Sequence, residues 1–213
     1  MSNGRKRDAE RTRLALLTAA ENHFTQRGFD AARVDDIAAE AGVNKRMIYV
    51  YFGSKQEMYQ EVLRTNIELF LEDSRRLLSS LSDPYEQAVY ALRHFFVFLA
   101  ENPKFVRLLA WESLLYERWD HSRLADLLAT GLQPMLDSVQ HGVESGLFRK
   151  GLDAQQFIVS AVGICLTYFQ KRLLLSAMWS QDLSDLDTRE QVLDHIVALV
   201  FEGILARPAW PHA

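Results

Sequence analysis

The chain has 213 residues, of which 48% are hydrophobic and 24% charged, and a formal net charge of −4. This composition is that of a folded globular protein and excludes a disordered or collagen-like chain. The longest uncharged stretch, residues 154–170, is too short to cross a bilayer, which takes about 20 mostly apolar residues, so no membrane anchor is expected. The charged N-terminus without an apolar segment and the single cysteine, Cys165, favour a cytoplasmic protein.

Positive charge is concentrated at the start of the chain. Residues 1–60 hold 10 Lys and Arg against 8 Asp and Glu, whereas residues 61–213 hold 14 against 20. Residues 1–9 are interpreted as a basic arm of the kind that lies along nucleic acid, although a solvated terminus accounts for them equally well. The negative net charge of the whole chain therefore does not exclude an anionic partner.

Apolar residues recur at helical spacing along the whole chain, and the 5 prolines and 10 glycines fall between these segments. The pattern predicts an all-α protein of about nine helices. The first helix is expected to end at Gly28 and to turn Leu14, Leu17 and Phe24 towards the core. The predicted helices cover residues 8–27, 34–41, 45–51, 54–81, 83–101, 102–116, 121–144, 154–180 and 188–206.

Local signals mark the starts of the long helices. Ser54 and Glu57 form a capping box, in which the serine oxygen accepts a hydrogen bond from the third backbone N–H and the glutamate reaches back. Asp83 and Asn102 each precede a proline, which suits the first position of a helix. New helices are therefore expected at each of these positions.

Two short amphipathic helices joined by a tight turn follow the first helix. Val34, Ile37, Ala38 and Ala41 lie at positions i, i+3, i+4 and i+7, which form one apolar face about two turns long. Gly42 permits the left-handed backbone that ends this helix. The first short helix is therefore expected to pack by this face against the core.

The second short helix has a buried edge and a polar outer side. Ile48 and Phe52, at i and i+4, form the buried edge, Val43 fills the corner between the helices and Asn44 can cap the second one. Together the pair predicts a helix-turn-helix whose second helix can enter the major groove of DNA. The residues left on its outer side are Lys45, Arg46, Tyr49 and Val50.

The sequences VDDIA at 34–38, AGV at 41–43 and IYVYFGSKQEM at 48–58, after RGF at 27–29, resemble the DNA-binding domain of TetR-family transcriptional regulators. The resemblance covers about residues 10–70. It implies an N-terminal three-helix DNA-binding domain over that stretch, followed by a helical domain that binds an effector and pairs two subunits.

The resemblance also implies roles for single residues. In similar regulators the positions of Lys45 and Arg46 approach base edges, whereas those of Tyr49, Tyr51 and Lys55 approach the phosphate backbone. Lysine and arginine can donate to guanine O6 and N7, and a lysine at a helix N-terminus can hold a phosphate.

One departure from the family pattern lies at the start of the motif, residues 33–52. Family members usually have Thr or Ser where this chain has Ala32 and Arg33. These residues serve as helix cap and phosphate contact. The missing cap is expected to weaken the short helix by about 1 kcal/mol, and Arg33 can replace it by its charge. The predicted DNA contacts are Arg33, Asn44, Lys45, Arg46, Tyr49, Val50, Tyr51 and Lys55.

The second domain is expected over residues 71–213 and encloses a small-molecule effector. Its motifs at 102–112, 143–148 and 153–157 are similar to the subgroup that includes the pyrimidine-catabolism repressor. Of the 23 aromatic residues, 14 lie within residues 85–179; they can surround a flat or apolar ligand, although core packing explains most of them. The candidate ligand residues are Phe98, Arg107, Trp111, Glu112, Tyr116, Tyr168, Phe169 and Arg172.

Apolar residues at three- and four-residue spacing in the last two helices predict the contact surface of a homodimer, with internal core as their alternative role. A dimer suits DNA reading, because two recognition helices about one turn apart read a palindrome. The candidate dimer residues are Ile158, Val162, Leu166, Val192, Ile196, Leu199 and Val200.

These features predict a repressor that a small-molecule effector releases from a palindromic double-stranded operator. A regulator that needs its ligand to bind DNA, or that activates, would have the same features. The chain has no His-Glu-x-x-His, Gly-x-Ser-x-Gly or phosphate-loop motif, so no catalysis, metal or cofactor is expected. A helical adaptor that binds protein is the alternative class, and the neighbouring Lys45 and Arg46 argue against it.

Overall fold

The computed structural model describes residues 2–78, 80–115, 119–120 and 122–202. These residues contain nine α-helices and no strand, which confirms the predicted all-α class. The helices are α1 Ser2–Ala31, α2 Val34–Glu40, α3 Arg46–Phe52, α4 Lys55–Leu78, α5 Pro84–Glu101, α6 Pro103–Leu115, α7 Ser122–Glu144, α8 Ala154–Trp179 and α9 Leu186–Glu202.

Helix α1 departs from its prediction at its start and agrees with it at Gly28. It begins at Ser2, so residues 2–9, interpreted as an arm, are helical. Gly28, with a φ of 72° and a ψ of 178°, is not helical, so the regular helix ends there as predicted, and a short helical segment beyond this kink runs to Ala31. Leu14 is 66% exposed, because it lies about 120° around the helix from the buried Ala20. Its predicted place in the core was wrong.

The predicted caps differ in how the structure uses them. Ser54 Oγ accepts from the Glu57 N–H at 3.0 Å, and Asp83 Oδ1 accepts from the Glu86 N–H at 2.9 Å. Helix α6 begins at Pro103 as predicted, but the Asn102 side chain closes the preceding helix, since its Nδ2 donates to the Phe98 carbonyl at 2.8 Å. Serine and aspartate thus start α4 and α5, whereas the asparagine amide satisfies a carbonyl at the end of α5.

The described helices pack into two compact units. The first consists of Met1–Leu69 and Pro103–His121, and the second of Phe70–Asn102 and Ser122–Ala213. The first unit therefore holds α1 to α3, the first part of α4 and α6, whereas the sequence assigned everything after residue 70 to the second domain. The grouping arises because α6 packs against α1, which brings together residues far apart in sequence.

The core of the first unit surrounds the short helices. Phe24 and Tyr59 are fully buried and meet edge to face with ring centroids 5.0 Å apart. Helix α6 packs against α1 at the kink, where a Cβ on Gly28 would lie 2.9 Å from Cε3 of Trp111. The Trp111 indole donates to the Thr25 carbonyl at 3.4 Å. The kink and the tryptophan thus fit each other, and only glycine suits that position.

In the second unit, α5 lies against α7, α8 and α9. The ring of Phe96 packs on Tyr168 and Phe169, with centroids 5.4 and 4.8 Å away. The Tyr168 hydroxyl donates to the Leu183 carbonyl at 2.7 Å and ties α8 to the loop before α9. Cys165 is fully buried, as expected of a small apolar side chain, and burial raises the pKa of its thiol to about 12.

Helix α8 keeps an apolar side in solvent. It is long and apolar enough to cross a membrane by length and composition alone, and 17% of its most apolar window is buried. Its exposed large apolar residues are Val159, Leu173, Leu174, Met178 and Trp179.

Candidate nucleic-acid interface

The turn between α2 and α3 is closed by backbone hydrogen bonds. The Val43 N–H donates to the Ala38 carbonyl at 3.0 Å, and the Gly42 N–H donates to the Ala39 carbonyl at 3.1 Å. Gly42 has a φ of 68°, the left-handed conformation predicted for it. The pattern is a Schellman motif, and it fixes the angle at which α3 leaves α2.

The inner sides of both short helices are buried as predicted. Ile37 and Ile48 are fully buried, Ala38 is 3% exposed and Phe52 is 8% exposed. These residues belong to the core cluster of the first unit, where Met58 of α4 is also fully buried. The position of α3 is therefore set by apolar packing and does not depend on its outer residues.

The outer side of α3 faces solvent. Tyr49 is 51% and Val50 71% exposed, and Lys45 and Arg46 are exposed beside them. Asn44 is exposed too, but its Oδ1 accepts from the Arg46 N–H at 2.9 Å, so its side chain holds the first turn of α3. The helix thus offers a basic, aromatic and apolar surface on a rigid support.

The cations of this surface differ in their partners. Lys45 Nζ lies 2.9 Å from Asp35 Oδ1, and the hydrogen bond with that carboxylate raises the pKa of Lys45. Arg33 and Arg46 form no ion pair within the described residues. The two arginines are thus available for phosphates or bases, whereas the lysine must exchange its partner.

Lys55 and Tyr51 are only partly exposed. Lys55 Nζ donates to the Asp30 carbonyl at 3.4 Å and lies 4.5 Å from the centroid of the Phe29 ring. Burial lowers the pKa of its ammonium group. Tyr51 packs against the core cluster. In this structure both side chains stabilise the segment between α1 and α4, and a phosphate contact by Lys55 requires it to leave the carbonyl.

The start of α2 has no side-chain cap, as predicted. Arg33 occupies the capping position in an extended conformation without a side-chain hydrogen bond to the helix. Two carboxylates, Asp35 and Asp36, lie in the first turn, where they interact favourably with the helix dipole. Asp36 also pairs with Arg27 at 2.9 Å. Charge thus stabilises this end of the helix in place of the usual hydroxyl.

A polar network that the sequence did not predict lies next to the end of α2. The Glu40 carboxylate accepts from Asn22 Nδ2 at 2.6 Å and lies 3.0 Å from His23 Nε2. Lys104 Nζ donates to Asn22 Oδ1 at 2.7 Å and to Glu21 Oε2 at 3.3 Å. The network joins α6 through α1 to the end of α2. Its members are up to 83 positions apart, so no local pattern indicates it.

The candidate ligand residues do not form one cluster. Trp111 and Glu112 belong to the first unit, where burial and, to a smaller extent, the nearby Glu112 carboxylate raise the pKa of Tyr59. In the second unit, Phe98 packs on Phe70. The remaining placements are Tyr168 buried, Phe169 and Arg172 partly buried, Arg107 exposed, and Tyr116 outside the described residues.

The second unit contains a cavity that none of these candidates lines. Its volume is about 210 Å³, and it lies between the last part of α4, the start of α5 and the middle of α7. Its lining residues are Arg75, Leu78, Gln87, Pro134, Met135 and Ser138.

Two family models match this chain, one in its N-terminal part and one in its C-terminal part. The family model for bacterial regulatory proteins of the tetR family matches residues 16–62. The model for the tetracyclin repressor-like C-terminal domain matches residues 84–200.

Similar proteins are transcriptional regulators. The repressor NicS of Pseudomonas putida is 32% identical over 208 residues, which cover 94% of this chain and 95% of NicS. The transcriptional regulator RutR of Escherichia coli is 25% identical, and the match covers 95% of each chain. The structure of FadR from Bacillus subtilis in complex with stearoyl-CoA superposes with a TM-score of 0.67 at 20% identity, covering 90% of this chain and 98% of FadR. The chain therefore belongs to the TetR family of helix-turn-helix transcriptional regulators, which bind DNA and are released by ligands.

Proposed function

We propose that the protein is a cytoplasmic repressor that binds a palindromic operator as a homodimer through α3 and leaves it when a small-molecule effector binds the second unit. The observation that carries the proposal is the division of α3. Its inner residues are fixed in the core, and its outer residues Arg46, Tyr49 and Val50 are exposed. A short helix held rigidly with a basic and apolar outer side suits the major groove.

The exposed residues divide the work of DNA binding by their chemistry. Arg46 can donate two hydrogen bonds to guanine O6 and N7, and Val50 can contact a thymine methyl group. Arg33 and the Tyr49 hydroxyl suit phosphate oxygens, which set the register without reading sequence. Lys45 joins them once it has exchanged Asp35 for DNA.

A second copy of the chain is the partner that fits the exposed side of α8. Val159, Leu173 and Leu174 are 64%, 78% and 60% exposed, and Leu199 of α9 is 58% exposed. Of the candidate dimer residues, Ile196 is buried within its own unit and the others except Leu199 are partly buried. The exposed stripe of α8 is displaced by one position from the predicted one.

Gly163 supports a close helix crossing on that stripe. It lies one turn after Val159, and a Cβ there would have no atom of the described residues within 4 Å. Glycine inside a helix costs about 1 kcal/mol relative to alanine, and packing among the described residues does not require it. A partner helix approaching at this point accounts for the residue, because small side chains permit short distances between helix axes.

Selection of duplexes from a random pool tests DNA recognition. The wild-type protein is expected to enrich a palindrome, and Lys45→Ala/Arg46→Ala to lose the enriched site. Arg149→Ala/Lys150→Ala is the matched control, since it also removes two neighbouring exposed cations but from the loop between α7 and α8. Equal binding by both double variants would contradict the assignment of α3, and an absence of specific binding in all three proteins would favour the adaptor.

The oligomeric state tests the α8 surface. Leu174→Glu is expected to give a monomer in sedimentation experiments, because a charge would be buried in the contact. Leu114→Glu is the control, since Leu114 is 73% exposed on α6 and the variant should keep the wild-type state. A monomeric wild-type protein, or the same behaviour of both variants, would contradict the dimer.

A reporter gene under the selected operator tests the sign of regulation. Repression that the effector relieves is the expected result. One relative that matches half of this chain, FasR of Mycolicibacterium smegmatis, is an activator. If reporter expression rises when the protein is produced, the chain is an activator and the proposed repression is wrong.

A further inference from the structure

The cavity of the second unit combines an apolar wall with two polar side chains, Arg75 and Ser138, that have no partner within the described residues. Leu78, Pro134 and Met135 line it with apolar surface. Its volume of about 210 Å³ lies below the roughly 300–1,000 Å³ of pockets that hold drug-sized ligands. The space fits a compact group such as a single substituted ring.

Ser138 supplies an unused hydroxyl to this cavity. Its Oγ is buried and forms no hydrogen bond within the described residues. A buried hydroxyl without a partner is destabilising, and native proteins seldom keep one unless water or a ligand satisfies it. The hydroxyl can donate to an acceptor on a bound molecule.

Arg75 supplies one positive charge at the same place. Arg75 lines the cavity, and its guanidinium forms no ion pair within the described residues. The next residue, Arg76, pairs with Glu72 at 2.5 Å and does not line the cavity. Two neighbouring arginines at the end of α4 thus differ: one has an acid within its own helix and the other has none.

We propose that this cavity binds a small organic monocarboxylate, with its carboxylate on Arg75 and Ser138 and its apolar body on Leu78, Pro134 and Met135. A single arginine balances a single negative charge. A phosphate ester carries about −1.5 to −2 at neutral pH and would retain unbalanced charge in this site. The regulatory meaning of the site rests on the proposed function, in which this carboxylate is the effector.

Methionine methyl NMR on the full chain reads this site directly. The chain has five methionines, and the Met135 signal reports the cavity. Benzoate and cyclohexanecarboxylate are the probes, and their amides are the neutral controls of equal shape. Both carboxylates are expected to shift the Met135 signal at millimolar concentration, whereas the amides should bind about tenfold more weakly.

Substitutions locate the carboxylate. Arg75→Gln is expected to weaken benzoate binding about tenfold, as the amide does, and Ser138→Ala by a smaller factor. Arg76→Gln is the matched control and should bind like the wild type. Arg75 and Arg76 are both exposed, so neither substitution should unfold the protein, and thermal unfolding checks this.

Several outcomes would overturn the assignment. They are an unshifted Met135 signal with both carboxylates, equal shifts with acids and amides, or equal losses in Arg75→Gln and Arg76→Gln. Because the signal is read without DNA, failure here is separate from failure of the proposed function, which is read from operator binding. Carboxylate binding at Met135 that leaves operator affinity unchanged would confirm the site and contradict its role as effector site.

Discussion

The two units of the protein relate packing to function in different ways. In the first unit, one seven-residue helix carries packing residues on its inner side and candidate DNA contacts on its outer side. In the second unit, the cavity is assembled from residues 75–138 on three helices, and the aromatic candidates Phe98 and Tyr168 are buried in the core. A surface on one short helix can therefore change without loss of the fold, whereas the cavity of the second unit exists only where three helices pack together.

The largest expected effect tests this separation on α3. Ile48→Asp should lower the free energy of unfolding by about 4 kcal/mol or more, because it buries an unpaired carboxylate in the core. Val50→Asp, two positions along the helix and 71% exposed, should change stability by less than about 0.5 kcal/mol while weakening DNA binding. Chemical denaturation and operator binding measure the two effects. Comparable destabilisation by both variants would show that packing and function are not separate even here.

The next prediction tests whether α6 belongs to the fold of the first unit. Gly28→Ala should cost about 3 kcal/mol, since it forces alanine into a conformation that only glycine adopts readily and drives its Cβ against Trp111. Gly42→Ala, also at positive φ but with no atom within 4 Å of a Cβ, should cost about 1 kcal/mol. When Trp111 is also replaced by alanine, Gly28→Ala and Gly42→Ala should lower the free energy of unfolding by similar amounts, as measured by urea unfolding. A difference that persists would show that contact with α6 is not its cause.

A smaller effect is expected from Tyr168→Phe in the second unit. Loss of the 2.7 Å hydrogen bond to the Leu183 carbonyl should cost about 1 to 2 kcal/mol, because the carbonyl stays buried without that donor. The variant should bind benzoate like the wild type, since Tyr168 does not line the cavity. Weakened benzoate binding with unchanged stability would contradict this prediction. It would show that Tyr168 acts in ligand binding, as the sequence predicted, and not in packing.

The smallest effect is a dependence on pH in the second unit. Burial lowers the pKa of His94, although Asp73 and Glu101 oppose the shift. The unfolded chain therefore binds the proton more readily, so stability should fall as the pH drops through about 6.5 and level off below the folded pKa. Urea unfolding between about pH 5 and pH 7.5 should show a slope that His94→Gln reduces. His141→Gln, exposed on α7, is the control, and equal slopes in the two variants would contradict the assignment.

Features encoded by neighbouring residues were predictable from the sequence. The buried positions of α2 and α3, the capping serine before α4 and the uncapped start of α2 depend on residues within about two helical turns of one another. Helical period alone did not determine which side of α1 faces the core, so Leu14 was misplaced. Signals within one or two turns therefore decide the local fold and which residues of α3 remain exposed.

Features that depend on distant residues could not be predicted in this way. The grouping of α6 with the first unit rests on contacts such as that of Trp111 with Gly28. The pair of Lys45 with Asp35 and the unpaired state of Arg75 require the positions of charges in space. The predicted ligand residues were chosen for their aromatic or charged character, and the cavity formed elsewhere because the ends of α4 and α5 meet the middle of α7.

The burial of Cys165 has a practical consequence for spectroscopy. It is the only cysteine in the sequence, it is fully buried, and burial raises its pKa to about 12. Thiolate is the form that reacts with maleimides and disulfides, so the folded chain should remain unlabelled at neutral pH. A cysteine introduced at an exposed position of α3 would then carry the only probe on each chain, and in the proposed dimer the distance between two such probes would report the separation of the two α3 helices with and without a ligand.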